Sequence, residues 1–249
     1  MLGAAQTAQL AGWWNRSGST PRTAKTILNS DVAQSILGGS GSFTAATVTT
    51  SVVKYGTGSL SVNGSDQFIW LDSSNNSSFT TSGDFTLECW AYPTTQTSYR
   101  VIMSNWNPGI LWSFLGSDQM VLYLNGSLIV NATGLSISAS AWHHVAVTRS
   151  GSNVQLWLDG TQAGSTGTLS GTVTWSDWTG IGCNTNDYPA SNVGSYFAGY
   201  LDEIRFSNTA RYTGTFTPPT SAFVNDANTL LLIHADGTNG QTTFTDDNS

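Results

Sequence analysis

Two hundred and forty-nine residues suit one large all-β unit, or such a unit with an appended arm. Charged side chains make up only 9% of the chain and glycine numbers 26, a composition that excludes a protein built on charge-laced helices and favours strands and tight turns. The net charge of −7 excludes nucleic acid as a partner of the whole molecule, because phosphate contacts need clustered Lys and Arg.

The first 30 residues hold Arg16, Arg22 and Lys25 with no acid, so a head of +3 precedes a body of −10. A basic arm of this kind can dock on an acidic neighbour; the plainer reading is a polar terminus with a few solvated charges. Trp13-Trp14 is the most apolar feature here, and an arm has little core in which to hide two indoles. Thr20 and Pro21 read as a helix N-cap and first turn, with Ile27, Leu28, Val32, Ile36 and Leu37 at helical spacing up to Gly38-Gly39. A short amphipathic helix is expected, although Asn29-Ser30-Asp31 competes for backbone hydrogen bonds and offers a fresh turn instead. Residues 1–42 read as an attachment arm with Trp13, Trp14, Arg16, Arg22 and Lys25 as its partner-binding residues. The start lacks the basic and continuous apolar regions of a secretion signal, and no apolar run reaches the roughly 18 residues of a membrane span. Neither export by that route nor membrane insertion is expected.

From Phe43 onward, short runs of strand composition alternate with turn residues. Strands are predicted at Ser59–Val62, Gln67–Leu71, Phe85–Tyr92, Arg100–Ser104, Leu111–Leu115, Met120–Leu124, Leu128–Val130, Trp142–Arg149, Val154–Leu158, Thr179–Cys183 and Ala198–Phe206. Asn125-Gly126 and Asp159-Gly160 are type I′ hairpin signals. The fold class is therefore all-β, an antiparallel two-sheet jelly-roll sandwich with a short N-terminal arm, part of it helical. Phe85, Leu87, Cys89 and Ala91 share one face of their strand and Thr86, Glu88 and Trp90 the other. Trp157 likewise opposes Leu156 and Leu158. Such outward indoles either fill a second packing layer or line a surface that stacks on sugars.

The stretches GDFTLECWAYPT (83–94), AWHHVAVTRSGSNVQLWLDGTQAGS (141–165) and FAGYLDEIRFSNTARYTGTFTPP (197–219) resemble, in order and spacing, a laminin-G-like jelly roll of the concanavalin A-like lectin/glucanase superfamily. The likeness runs from about Thr47 to Pro219 and implies two curved sheets, one concave and often ligand-binding. The run from Ala210 to Asp247 is similar to segments of tailed-phage structural proteins that carry such domains, which implies a virion component. In this family a run like Leu230–Gly240 opens the domain as its first strand. Here it closes the chain, so Thr229–His234 is expected to pair into the sandwich, in its own sheet or in that of a second copy.

Glycan hydrolysis needs two facing carboxylates, and the one candidate, Asp202-Glu203, puts adjacent acids on opposite faces of a regular strand. Glu203 is expected to pair with Arg205 on the surface. No GxSxG elbow accompanies His143, His144 or His234, so these read as structural; one of His143 and His144 should point inward and the other out. Cys89 and Cys183 read as two free, buried thiols, with a disulfide as the other reading. No cofactor is required. The resemblance offers calcium at a sheet rim, for which Asp66, Asp72, Asp187 and Asn184 stand in loops, although without an aspartate-rich loop of fixed spacing ordinary turn aspartates explain them better. Tyr99, Trp106, Asp187 and Tyr188 place rings among amides and carboxyls in loops, as glycan binding requires.

The functional expectation is a non-catalytic virion structural protein, a capsid decoration, fibre or knob subunit, contacting other virion proteins or copies of itself and a cell-surface glycan. A stand-alone carbohydrate-binding module on the bacterial extracellular surface is the alternative, and a glycan hydrolase the third reading.

Overall fold

Alternation of apolar and polar residues builds two antiparallel sheets in the computed structural model, which describes residues 26–31, 43–72, 76–96, 99–105, 109–175, 178–185 and 195–248. In chain order the elements are β1 (Ile27–Asn29), β2 (Thr47–Thr49), β3 (Ser59–Asn63), β4 (Ile69–Leu71), α1 (Asn76–Phe79), β5 (Phe85–Pro93), β6 (Tyr99–Asn105), β7 (Ile110–Leu115), β8 (Gln119–Leu124), β9 (Ser127–Ala132), β10 (His143–Ser150), β11 (Asn153–Leu158), β12 (Thr161–Thr168), β13 (Thr179–Ile181), β14 (Ala198–Ser207) and β15 (Thr229–Ile233). One sheet has seven strands in the order β1-β4-β13-β6-β7-β8-β9. The other has eight, β12-β11-β10-β5-β14-β3-β2, with β15 beside β14. The expected all-β sandwich is observed.

Between the sheets, Phe85, Leu87, Cys89 and Ala91 of β5 and Val145 and Val147 of β10 meet Trp112 and Phe114 of β7 and Met120, Leu122 and Leu124 of β8. Each large apolar side chain buried there contributes about 1.5–3 kcal/mol. The two hairpin signals are realised with positive φ at both turn residues, Asn125 (49°) with Gly126 (77°) and Asp159 (50°) with Gly160 (80°). Both cysteines are free and buried.

The outer face of the eight-stranded sheet carries a second layer. Residues 208–223 cross it, with Tyr212 and Phe216 stacked at 3.6 Å, Phe216 against Trp157 at 5.6 Å, and Phe223 clustered with Trp90 and Leu232. The outward indoles Trp90 and Trp157 thus fill a packing layer, and Trp157 Nε1 donates to Thr148 Oγ1 at 2.7 Å. Beneath this cover Glu88 accepts from Arg205 Nε (2.9 Å) and Nη2 (2.7 Å) and from the Tyr212 hydroxyl (2.6 Å), with His144 Nε2 at 3.2 Å. Burial opposes ionisation of Glu88, but the His144, Arg205 and Tyr212 interactions outweigh it and hold the carboxyl below its ordinary range.

Several expectations are corrected. In the stretch read as an arm helix, Ile27–Asn29 is a strand pairing with β4, and among the described residues the backbone turns helical at Ser30-Asp31, where the competing polar residues lie. The sandwich therefore begins before residue 43: Asn29 Nδ2 donates to Ala46 O and Thr242 O, both at 2.7 Å, and Asn29 Oδ1 accepts from Ala46 N at 2.7 Å. Residues 1–25 and 32–42, with Trp13, Trp14, Arg16, Arg22 and Lys25, lie outside the described residues. His143 and His144 do point to opposite faces, in register with Ala91 and Trp90, but both are buried, because the Asp159 carboxylate reaches back to His143 Nδ1 (2.7 Å) while the covering segment closes over His144. Glu203 does not pair with Arg205 on the surface. A bulge between Asp202 and Arg205, with Glu203 at φ 53°, breaks the alternation. Glu203 is fully buried, with Phe223 N donating to it and His234 Nδ1 2.7 Å away, while Arg205 serves Glu88. That bulge also removes the premise that Asp202 and Glu203 must face opposite ways: the partners of both come from segments laid over the outer face.

Candidate functional site

On β4 the inward residues Ile69 and Leu71 join the core, so Trp70 between them, with Phe68 before it, projects from the outer face of the seven-stranded sheet. Gly180 of β13 pairs with Trp70 and leaves room for Cys183 and Thr185 to lie across it; a Cβ at Gly180 would come within 2.6 Å of Cys183 Sγ and 2.7 Å of Thr185 Cγ2. Phe68 and Trp70 are the buried floor, with ring centroids 5.3 Å apart. Above them stand three half-buried rings: Phe43 edge-on to Phe68 at 5.3 Å, Tyr196 stacked on Phe68 at 6.2 Å and 25°, and Trp178 tilted on Trp70 at 5.5 Å. Burial, with the charges of Cys183 and Asp66, pushes the Tyr196 phenol up to about 12, so it stays protonated at neutral pH.

Polar groups line the β6 side of this cluster. Ser104 Oγ lies 3.2 Å from Asn184 Oδ1 and 3.2 Å from Thr185 Oγ1. Half-exposed rings beside amides and hydroxyls can take the apolar face of a sugar and bind its hydroxyls. The arrangement suits binding.

Of the glycan candidates read from the sequence, Tyr99 is the one among the described residues. It opens β6 and is 42% exposed. Trp106, Asp187 and Tyr188 lie outside the described residues. Thr185 N donates to Ser104 Oγ, and the Ser195 carbonyl accepts from Val101 N at 3.1 Å. Phe43, Phe68, Trp70, Trp178 and Tyr196 were not legible as a site, because the crossover that sets β4 beside β13 joins segments more than a hundred residues apart.

Of the loop residues considered for calcium, Asp66 and Asn184 already have partners. Asp66 accepts from Asn63 Nδ2 at 2.6 Å and Thr44 N at 3.0 Å, so its oxygens are turned to donors, and among the described residues no three of His, Cys, Asp and Glu gather to hold a metal ion. Asn184 turns to Ser104, and Asp187 lies outside the described residues.

Residues 63–214 match the family model of the concanavalin A-like lectin/glucanases superfamily. No curated protein sequence matches the chain. Among solved structures, a candidate carbohydrate binding protein from Bacteroides ovatus is 19% identical with a TM-score of 0.54, covering 67% of this chain and 50% of its own. The enzymatically active domain of tailspike protein 2 of bacteriophage CBA120 is 11% identical with a TM-score of 0.53, covering 78% of this chain and 30% of its own. Botulinum neurotoxin type C, whose cell entry depends on interaction with two ganglioside molecules, is 12% identical with a TM-score of 0.50, covering 76% and 44%. The chain thus spans half or less of the length of these structures, and at such identities the likeness is one of fold.

Proposed function

Starting from a chain that belongs to the concanavalin A-like lectin/glucanase superfamily, we propose a non-catalytic glycan-binding sandwich that serves as a surface component of a viral particle. The observation that carries the glycan reading is the cluster of half-buried Phe43, Trp178 and Tyr196 over a floor of Phe68 and Trp70, bordered by Ser104, Asn184 and Thr185. The rings supply stacking and the amides and hydroxyls supply direction, so the binding needs no cofactor.

Absence of hydrolysis follows from how the acids are used. Asp202 Oδ2 accepts from Lys54 N (2.9 Å) and Tyr55 N (3.2 Å), Glu203 is held by Phe223 N and His234, and neither carboxylate touches solvent. A glycosidic bond has no route to them. The particle reading is supported by the charge split between head and body, by the resemblance of the closing run to tailed-phage proteins, and by the phage tailspike among the structures of this fold. Residues 1–25, with Trp13, Trp14, Arg16, Arg22 and Lys25, are the proposed contact to other virion proteins or to copies of the chain. A stand-alone carbohydrate-binding module on a bacterial surface is the second reading, favoured by the ring cluster alone.

The test is a glycan array read together with reducing-end release and co-sedimentation with particles. Retention of an oligosaccharide, no new reducing ends and co-sedimentation are expected. Release that disappears in Asp202→Asn or Glu203→Gln would make the protein a hydrolase, and sugar binding by a soluble monomer that ignores particles would make it a stand-alone module.

A further inference from the structure

The covering layer on the eight-stranded sheet stops one row short of the sheet's end. Cross-strand register places Trp90 in a row with His144 and Asp202, all buried beneath Tyr55 and Phe223. In the next outward-facing row Tyr92 of β5 pairs with Tyr200 of β14, Tyr200 with Ser61 of β3, and Ser61 with Thr47 of β2. On the other side Ala91 pairs with His143, which sets Trp142 opposite Tyr92. Tyr92 lies 5.3 Å from Trp142 and 5.5 Å from Tyr200, centroid to centroid, and all three rings are half-buried. No described residue accepts from or donates to either phenol hydroxyl of Tyr92 and Tyr200. The step down from the cover is walled by Tyr55, whose hydroxyl donates to Pro219 O at 2.8 Å, and by the Lys54 ammonium 3.8 Å over the Trp90 ring.

We propose that the row Trp142, Tyr92, Tyr200 is a second saccharide-binding surface, taking two consecutive neutral sugar residues on the sheet opposite the Trp178 cluster. It rests on the reading of the domain as glycan-binding. Three rings on adjacent strands span about 10 Å, enough for two ring-sized units laid across the strands. The rings, set at 65° and 63° to one another, supply apolar contact, and the two phenol hydroxyls with the Ser61 and Thr47 hydroxyls supply hydrogen bonds along one border. The charged neighbours, Lys54 and the Asp159 that attracts it, balance each other and give an acidic sugar no surplus of positive charge to meet. A protein partner fits less well: three half-exposed aromatic side chains offer on the order of 300 Å², against about 800 Å² per partner in a stable interface. Two surfaces on opposite sheets make the domain bivalent, so weak single contacts become strong on a glycan-dense cell surface.

Native mass spectrometry with cellotriose, maltotriose and tri-N-acetylchitotriose as probes counts the sugars bound per chain. Two are expected for the intact protein with at least one probe, one for Trp142→Ala/Tyr200→Ala, and one for Trp178→Ala. A thermal melt checks each fold, and Tyr200→Leu alone, expected to weaken the second site at least tenfold, replaces the double variant should that fail to fold. One sugar per chain, lost in Trp178→Ala and kept in Trp142→Ala/Tyr200→Ala, overturns the second surface and leaves the glycan-binding reading intact. No sugar with any probe, on a protein that also fails the glycan array, overturns both.

Discussion

Glu88→Gln changes a single atom's chemistry in the most highly connected buried group of the outer layer. Glu88 is 1% exposed, its Oε1 takes two bonds from Arg205, and its Oε2 takes the Tyr212 hydroxyl and faces His144. A glutamine amide turns an NH2 towards one of these donors and leaves the Arg205 guanidinium without a counter-charge. Breaking a buried pair from one side costs about 3–5 kcal/mol, a large share of the roughly 5–15 kcal/mol by which a domain is stable. For a chain of this length that is a fall in Tm of roughly 6–20 °C, at about 2–4 °C per kcal/mol. Differential scanning calorimetry at pH 7 measures it. The wild type should also lose stability as pH falls through the ordinary glutamate range, because a depressed carboxyl gives stability present above the unfolded pKa and lost below it; Glu88→Gln lacks that part of the acid limb. A companion variant, Glu88→Leu/Arg205→Leu, should recover part of the loss, since an apolar pair needs no compensation. A Glu88→Gln melt within about 1 kcal/mol of wild type would refute the reasoning and make the pair no better than a surface one.

Above the acid limb the slope reverses. Burial pushes Asp202 up to about 7, against about 3.9 in an unfolded chain, so its contribution falls as pH rises across that window; His234, raised by its bond to Glu203, loses its contribution as pH climbs through its folded value. Stability should therefore peak on the acid side of neutrality, and Asp202→Asn should flatten the decline, seen in urea melts from pH 4 to 8. Asn29→Ala removes three bonds to Ala46 and Thr242 and should cost about 1–3 kcal/mol, and deleting residues 1–42 should cost more; an unchanged melt of either would return residues 27–30 to a free arm. At Gly160 (φ +80°) a Cβ would strike the Phe216 carbonyl, so Gly160→Ala should lift the covering segment and raise the fluorescence response of Trp157 to quenchers; unaltered quenching would contradict the packing of that layer.

Eleven strands and both tight hairpins were legible because alternation and Asn-Gly or Asp-Gly turns are local signals. β12 was not, since TQAGSTGT buries only Ala163 and runs through a register shift opposite Val154 and Leu156. β1 was misread because Ile27 and Leu28 bury against different clusters, one on each side of the sheet, a pattern that helical spacing also satisfies. The Glu203 bulge leaves no mark in the sequence, and with it went the inference that adjacent acids face apart. The outward position of Trp90 and Trp157 was readable, but what covers them comes from a segment some fifty or more residues later in the chain. The candidate site was not legible in the sequence; its rings come from Phe43, the β4 region, Trp178 and Tyr196, which only the sheet order brings together.

The claim that the outer face of the seven-stranded sheet binds a glycan is tested most directly by the dissociation constant of the best array ligand, measured for the wild type and for Trp178→Ala and Tyr196→Ala. Each ring removed should weaken binding about tenfold or more, equivalent to about 1.4 kcal/mol, with the melt of each variant close to wild type because both side chains are only half-buried. Undiminished affinity in both variants would contradict the account.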